Sequence, residues 1–322
     1  MKTIGVLTSG GDAPGMNACV RAVVRAGVAN NMLTVGIRRG YTGLLENDTQ
    51  ILTSRSVGGI ARNGGTILKT ARCLEFKTPA GIRQAVENIR ALGIEGLVVI
   101  GGDGSLHGAL ELHKAGIPTV GVPASIDNDI AGTDMAIGVD TAMNTIMEAL
   151  DQLKDTASAH QRAFLVEVMG RRSGYLALAA GIAGGAEMIL VPERSFRMQD
   201  IFAEMARARE RGKPHFIVVV AEGASPNAFE IQSALKEQGE PGFEVRTTVL
   251  GHVQRGGSPT AFDRLLSTRL GTMAVNALSE GQSGIMVGVQ MAGRMMTPLV
   301  DVLREARQPD DDLLGLEDLI SL

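Results

Sequence analysis

Aromatic side chains are scarce in this chain of 322 residues, which has no tryptophan, two tyrosines and eight phenylalanines. A core of this size without them must be built from Val, Ile, Leu, Ala and Met, a composition that suits parallel sheets buried on both faces. Cysteine is scarcer still, with Cys19 and Cys73 alone. Two are too few for a disulfide framework and lack the spacing of a zinc site, so a reducing, cytoplasmic setting is expected, and any metal should be held by oxygen. Nor is there a surplus of positive charge: 31 Lys plus Arg stand against 35 Asp plus Glu, a formal net charge of -4. Neither a nucleic acid nor an anionic membrane is expected as a partner. An anionic ligand must be met locally. No window approaches the ~20 consecutive apolar residues of a membrane span, and Met1-Lys2-Thr3 runs into a strand-like segment without a signal-peptide pattern. The Walker A pattern is missing too, and Gly10, Gly11 and Gly15 do not fit the dinucleotide pattern G-x-G-x-x-G.

What the chain does have is glycine, 41 residues of it, in a composition 44% hydrophobic and 20% charged that supports a large buried core. The length suggests about two domains, and there is no low-complexity linker or fixed-period repeat. Short apolar runs at Thr3 to Leu7, Thr34 to Ile37, Gly96 to Ile100, Thr119 to Val122, Ala163 to Val168, Phe216 to Val220 and Gly284 to Val289 read as buried strands. Helix-period stretches lie between them, at Met16 to Ala29, Gly81 to Leu92, Ser105 to Ala115, Thr141 to Thr156, Gly174 to Ala183, Asp200 to Glu210 and Ala261 to Leu278. The alternation predicts an α/β fold with right-handed crossovers. After Arg307, Pro309-Asp310-Asp311-Asp312 reads as a solvated turn before a short amphipathic helix.

Ligands in such folds gather at the carboxyl ends of strands. Five of those turns are loaded: Ser9-Gly10-Gly11-Asp12, Gly101-Gly102-Asp103-Gly104, Ser125-Ile126-Asp127-Asn128-Asp129, Gly170-Arg171-Arg172 and Glu222-Gly223. Together they predict one convergent cleft. The first, continued to Gly15, joins strand to helix through three glycines, leaving backbone N–H groups to approach phosphate oxygens at the helix N-terminus, unless it is only a tight turn. The second places an acid, Asp103, where magnesium could sit beside a polyphosphate; otherwise Asp103 caps the helix from Ser105. In the third, residues two apart in an extended chain point the same way, so Asp127 and Asp129 would share a face while Ile126 turns inward. Adjacent carboxylates repel unless a cation or a reacting proton occupies the gap, which suits a general base beside a metal-bound phosphate; a series of Asx-turns is the alternative.

Arg72, Arg162, Arg171, Arg246 and Arg255 lie at or near strand ends, and Arg171 and Arg255 are embedded in glycine, where a guanidinium can reach a phosphate bidentately. His252, three residues before Arg255, is a phosphate partner or else a core or surface histidine. Arg21 and Arg25 share a helix face, and with Lys154, Arg211 and Lys213 they form either solvated surface or a second anion site.

The segments Ser9 to Asn17, Gly101 to Gly104, Ile126 to Asp129, Val168 to Arg171 and Leu250 to Pro259, in this order and spacing, make the chain resemble the bacterial ATP-dependent 6-phosphofructokinases over nearly its whole length. The resemblance implies an α/β fold of two Rossmann-like three-layer domains with mostly parallel sheets and an active-site cleft between them. The larger, ATP-binding domain would comprise 1–138 plus 251–301, and the smaller, fructose 6-phosphate-binding domain 139–250 plus 302–322. It also implies transfer of the ATP γ-phosphoryl group to the 1-hydroxyl of fructose 6-phosphate, assisted by Mg2+, in a homotetramer. ATP would meet Gly11, Arg72, Cys73, Gly102, Asp103, Gly104 and Ser105, with Asp103 holding magnesium and Asp129 helping to position it. Asp127 would accept the proton of the sugar hydroxyl, Ser125 would offer its own hydroxyl, Arg72 would track charge at the bridging oxygen, and Arg171 completes the catalytic set. Ser125, Ile126 and Asp127, with Met169, Gly170, Arg171, Glu222, His252 and Arg255, would bind the sugar phosphate, while Arg162 and Arg246 would reach in from a neighbouring subunit. Arg21, Arg25, Lys154, Gly185, Glu187, Arg211, Lys213 and His215 fit an allosteric pocket for ADP or phosphoenolpyruvate.

Some positions depart from the family pattern. Ser125 stands where threonine is usual and lacks the methyl that restricts the rotamer. Ser54 and Gly59 stand where relatives have arginine and aspartate, so the effector site is altered although Arg55 is adjacent. Pyrophosphate-using relatives carry an aspartate at the position of Gly104 and a lysine at that of Ala124, so ATP is the expected donor and a pyrophosphate-dependent enzyme the nearest alternative. A nucleotide-sensing subunit without chemistry would not need Asp103, Asp127, Asp129 and Arg171, all of which are present. A dinucleotide-binding oxidoreductase would need the missing glycine fingerprint.

Overall fold

The structure, a computed structural model, describes residues 1–239, 242–291, 293–308 and 313–316. In chain order its regular elements begin β1 (Thr3–Ser9), α1 (Met16–Ala29), β2 (Leu33–Ile37), α2 (Tyr41–Glu46), β3 (Thr49–Leu52), α3 (Pro79–Ala91), β4 (Gly96–Gly101), α4 (Asp103–Lys114) and β5 (Thr119–Pro123). There follow α5 (Val139–His160), β6 (Arg162–Val168), α6 (Tyr175–Ala183), β7 (Met188–Leu190), α7 (Met198–Glu210), β8 (Phe216–Ala221), α8 (Ala228–Glu237) and β9 (Glu244–Val249). The chain then forms α9 (Ala261–Ser279), β10 (Ile285–Gln290), β11 (Gly293–Pro298) and α10 (Leu299–Val302). Every strand and helix expected from hydrophobic periodicity is present within a few residues of its predicted place. The turn expected at 309–312 lies outside the described residues, as do 317–322 of the helix expected after it; 313–316 form a helical turn. Among the described residues no helix is long and apolar enough to cross a membrane.

The chain divides into two compact units, Met1–Thr141 with Arg255–Arg307, and Ala142–Gln254 with Gln308–Leu322. The first is built on a seven-stranded sheet of order β11-β10-β5-β4-β1-β2-β3. Its inner pairs are parallel, and β3 and β11 add antiparallel edges. Every residue of β4 is buried. Because successive side chains of a strand point to opposite faces, both faces of the sheet must be covered. Helix α1 packs against α9, while α4 packs against α3 and α10. The second unit carries a four-stranded, wholly parallel sheet, β7-β8-β6-β9. Ala163, Leu165, Phe216, Val218 and Val220 on one face of its sheet meet Ile201 and Met205 of α7 and Ile231 and Leu235 of α8. The fold is thus α/β with mostly parallel sheets, as expected.

In the first unit the ends of α5 and α9 are tied by one buried acid. Asp263, wholly buried, accepts hydrogen bonds from the Gly138 N–H at 2.9 Å and from the N–H and hydroxyl of Thr141 at 2.8 and 2.5 Å. Thr260 caps α9 by accepting from the Asp263 N–H, and its hydroxyl donates to Asp140. Burial pushes the Asp263 carboxyl up from its ordinary value, and the bonds from Thr141 and Gly138 oppose that shift. An Asp263→Ala variant orphans buried donors and should lose ~3 kcal/mol of stability, which lowers the thermal midpoint by about 6 °C or more. A melt within about 1 °C of the parent would contradict this reading of the tie.

Candidate active site

In the first unit the order β4-β1-β2 makes a topological switch: the chain leaves β1 toward β2 and returns to β1's other side as β4. A crevice opens at the carboxyl ends of such a strand pair. A cavity of about 750 Å³ lies there, and its walls include Ser9 at the end of β1 with Gly10 and Gly11, Gly102 to Ser105 after β4, and Ala124, Ser125 and Asp127 after β5. Three of the five loaded turns therefore share one cavity; the other two belong to the second unit.

Helix α4 starts at Asp103, with Gly102 as N-cap and no side chain bonded to the cap position. Asp103 is therefore not the cap that one reading of the sequence allowed. The first residues of α4 line the cavity at the positive end of the helix dipole, a ready anion site; the Ser105 N–H already donates to the Gly102 carbonyl oxygen at 2.9 Å, which leaves those of Asp103 and Gly104. The expectation for α1 needs correction. Its first turn is buried, and Asn17 there donates to the Asn63 and Gly64 carbonyls and accepts from the Ile67 N–H, holding the 63–67 loop instead of lining the cavity. The glycine cradle consists of Gly10 and Gly11 with the start of α4. A Cβ at Gly104 would meet nothing within 4 Å, and its φ is not one that demands glycine. Neither the backbone nor the packing of the chain itself requires glycine there, so the open space is available to a ligand. Gly11, by contrast, is approached by Arg255, whose Nη1 would lie 2.7 Å from a Cβ and donates to the Asp12 carbonyl oxygen at 3.1 Å.

The acid-bearing turn also differs from expectation. Asn128 has a left-handed φ of 49°, so 125–129 is a turn and not the extended segment that would align Asp127 with Asp129. Asp127 joins the cavity wall, Ile126 is fully buried, and Asp129 accepts a 3.0 Å hydrogen bond from the Ser125 hydroxyl. That bond orients the serine rotamer, which the missing threonine methyl would otherwise restrict. Among the described residues no cluster of three or more His, Cys, Asp or Glu side chains is placed to hold a metal. Magnesium fits such a site only when bound through one or two carboxylates and the phosphates of a ligand, and Asp103 on the cavity wall, 63% exposed, suits that arrangement.

Arg72 and Cys73 line the same cavity, as do residues the sequence reading missed: Tyr41, Phe76, Lys77, His107 and Glu111. The Tyr41 ring stacks on Phe76 with centroids 4.0 Å apart, and its buried hydroxyl donates to the Ser105 carbonyl oxygen at 2.6 Å. Burial pushes that hydroxyl's pKa upward. Tyr41 follows the turn after β2, and the rule applied to the other strand ends points there as well.

In the second unit the turns after β6, β8 and β9 come together. Arg171 donates through Nε to Glu222 at 2.9 Å, and the Met169 N–H donates to Gln254 at 3.2 Å, in the same helical turn as His252. Gly170, between Met169 and Arg171, turns the chain with a φ of 126°. Arg162 and Arg246 do not join this group. Arg162 opens β6, and Arg246 lies inside β9 rather than at a strand end; both pair with Glu244, whose carboxyl Arg162 holds below its usual range. Arg162 is the first of the seven residues of β6 and the Arg171 turn follows the last, a separation on the order of 20 Å at strand rise. Of the proposed effector residues, Lys213 and His215 approach Glu187 at 3.4 and 3.8 Å, and Lys154 Nζ donates to Gly184 beside Gly185. Arg211 turns instead to Glu204 at 2.8 Å. Arg21 and Arg25 lie on α1 of the first unit, and Ser54, Arg55 and Gly59 are exposed.

A doubly wound parallel sheet with a glycine cradle, a helix N-terminus and an acid turn around one cavity defines a phosphate-handling α/β enzyme. The family model described as Phosphofructokinase matches residues 3–278. Two curated relatives, each named ATP-dependent 6-phosphofructokinase, align over the full length of both chains: that of Bacillus pumilus at 51% identity and that of Thermotoga neapolitana at 52%. The chain belongs to the phosphofructokinase family. Among solved structures, phosphofructokinase from Saccharomyces cerevisiae matches with a TM-score of 0.87 at 37% identity over all of this chain, which spans 48% of the yeast chain. A pyrophosphate-dependent phosphofructokinase from Marinobacter aquaeolei, at 20% identity and a TM-score of 0.85 over 99% of this chain and 91% of that one, shares the fold.

Replacing Tyr41 by phenylalanine keeps the stack and removes the bond to Ser105. We expect a loss of ~1 kcal/mol, seen as a fall of about 2 to 4 °C in the thermal midpoint; an unchanged melt would show that the hydroxyl does not hold the start of α4.

Proposed function

We propose that this chain transfers the γ-phosphoryl group of ATP to the 1-hydroxyl of fructose 6-phosphate, the ATP-dependent 6-phosphofructokinase reaction of glycolysis. The observation that carries the reading is the cavity at the β1–β4 switch, where Gly10, Gly11 and the start of α4 share their walls with Asp127. Phosphoryl transfer through a loose transition state needs alignment and charge neutralisation more than covalent chemistry. The N–H groups of Gly11, Asp103 and Gly104 receive the triphosphate with Ser105 beside them, Arg72 and Cys73 flank it, and Arg72 stabilises charge on the bridging oxygen as its bond to the γ-phosphorus breaks. Asp127 takes the proton of the sugar hydroxyl as that oxygen bonds to phosphorus. Asp103 and Asp129 would hold magnesium, which when bound neutralises charge on the β- and γ-phosphates. Ser125, oriented by Asp129, offers its hydroxyl to the incoming group.

Met169, Gly170, Arg171, Glu222, His252 and Arg255 hold the sugar phosphate. Arg162 sits at the opposite end of β6 from them and Arg246 lies inside β9, both paired with Glu244, which supports their service to a neighbouring copy in a homotetramer. In this reading the unit with β1–β5 binds ATP, the unit with β6–β9 binds the sugar phosphate, and the enzyme works in the cytoplasm. The nearest rival uses pyrophosphate. Ala124 presents a small apolar side chain to the cavity and Gly104 leaves space beside it, which favours a nucleotide over a smaller donor needing an extra lysine. Lys154, Gly185, Glu187, Lys213 and His215, with Arg21, Arg25 and Arg211, form an effector site for ADP or phosphoenolpyruvate, altered by Ser54 and Gly59.

One coupled assay tests this reading. Fructose 6-phosphate should turn over with ATP and not with pyrophosphate, and ADP should relieve inhibition by phosphoenolpyruvate. Asp127→Ser should lower kcat by ~10² to 10⁴ while sugar binding is largely kept. Turnover with pyrophosphate alone would overturn the choice of donor, and an Asp127→Ser variant within about threefold of the parent would remove Asp127 from the mechanism.

A further inference from the structure

Between β5 and α5, residues 124–138 run without helix or strand apart from a bridge between Ala124 and Ile137. Both acids of the proposed reaction centre, Asp127 and Asp129, lie on this stretch, so its shape must be imposed by neighbours. One neighbour is the sheet. The Asp134 N–H donates to the Val289 carbonyl oxygen at 2.8 Å, the Val289 N–H donates to the Thr133 hydroxyl at 3.2 Å, and the Met291 N–H donates to the Asp134 carboxylate at 2.7 Å. Thr133 and Asp134 are thereby fixed to β10 and the turn that follows it.

The acid turn reaches that anchored segment through two residues. Asn128, 1% exposed and left-handed between the two acids, donates through Nδ2 to the Asp134 carbonyl oxygen and accepts from the Ala136 N–H, each at 3.0 Å. Arg307 comes from the far end of the chain. Its backbone N–H donates to the Asp129 carbonyl oxygen at 3.0 Å, and its Nη1 donates to the carbonyl oxygens of Thr133, at 3.0 Å, and of Asp134. One residue thus joins the backbone of Asp129 to the two residues pinned on β10. The Asp134 carbonyl oxygen, which accepts from both Asn128 and Arg307, is where the two braces meet.

We infer that Arg307 is a positioning residue for phosphoryl transfer: it locks the Asp127–Asp129 turn onto the sheet-anchored segment and so fixes where the two carboxylates stand. The inference rests on Asp127 being the proton acceptor. These three bonds go to backbone oxygens, so Arg307 acts through the placement of the acids and not on the substrate. The guanidinium suits the task, because an always-charged group with several fixed N–H donors can serve two carbonyls at once where an ammonium is a single point charge. A displacement near 1 Å at a reacting group is enough to cost ~10²-fold in rate.

The test compares Arg307→Ala and Arg307→Lys with the parent and with Asp127→Ser, by steady-state kinetics, thermal melting and amide hydrogen exchange across the first unit. Arg307→Ala should lower kcat by ~10- to 100-fold with both KM values within about threefold of the parent. Exchange should quicken in 126–136 and remain parental elsewhere, and Arg307→Lys should recover part of the lost turnover. A kcat within about threefold of the parent would overturn the proposal. So would a loss shared between kcat and KM with exchange quickened throughout the unit, the mark of a merely structural residue. Parental turnover by Asp127→Ser would overturn the assignment of the base and, with it, this inference.

Discussion

A polyphosphate carries several negative charges, and this chain, with a net charge of -4, has no surplus of cations to offer. The charge must be met by backbone dipoles and a few placed arginines. Backbone N–H groups are free to do so only where regular structure ends, at the carboxyl ends of strands and the first turn of a helix. Much of the first unit follows from that constraint. The β1–β4 switch opens a crevice between two such strand ends, Gly10 and Gly11 bring one backbone to its wall, and α4 begins there with neither a capping side chain nor a bulky residue at 104.

Acids can enter such a place only if their position is controlled, because carboxylates beside phosphates repel unless a cation or a shared proton intervenes. The chain sets Asp127 on the cavity wall and turns Asp129 to the Ser125 hydroxyl through a left-handed residue between them. The support is layered: a strand holds Thr133 and Asp134, these hold Asn128 and Arg307, and these in turn hold the acids. Asp263 secures the end of the same stretch by holding Gly138 and Thr141. A loop of irregular backbone gains in this way the fixity of the sheet to which it is bonded.

The buried strands and long helices were legible because their apolar runs are continuous or recur at helical spacing. The strands that escaped, β3, β7, β9 and β11, are all edges. Strands β3, β9 and β11 expose half or more of their residues and carry polar side chains such as Thr49, Gln50, Arg246 and Thr247, so they present no apolar run. Helix α8 was missed although Asn227 and Glu230 form a capping box, a signal readable from the sequence as Asn-x-x-Glu. The glycine cradle and the acid turn stood out as motifs. Their local geometry did not, because which helix end faces the cavity and whether 125–129 is extended depend on contacts with Asp134 and with Asn63 and Arg307, the last two remote in sequence. Tyr41 follows the end of β2, where the strand-end rule could have found it, but its stacking on Phe76 has no local pattern because the two rings come from separate segments.

The central claim is that backbone dipoles at the β1 and β4 ends receive the donor's phosphates. A crystal structure of the protein with a non-hydrolysable ATP analogue, magnesium and fructose 6-phosphate tests it most directly. The account predicts the triphosphate against the N–H groups of Gly11, Asp103 and Gly104, with the sugar 1-hydroxyl within hydrogen-bonding reach of Asp127. A nucleotide bound elsewhere, or a sugar hydroxyl facing away from Asp127, would contradict it.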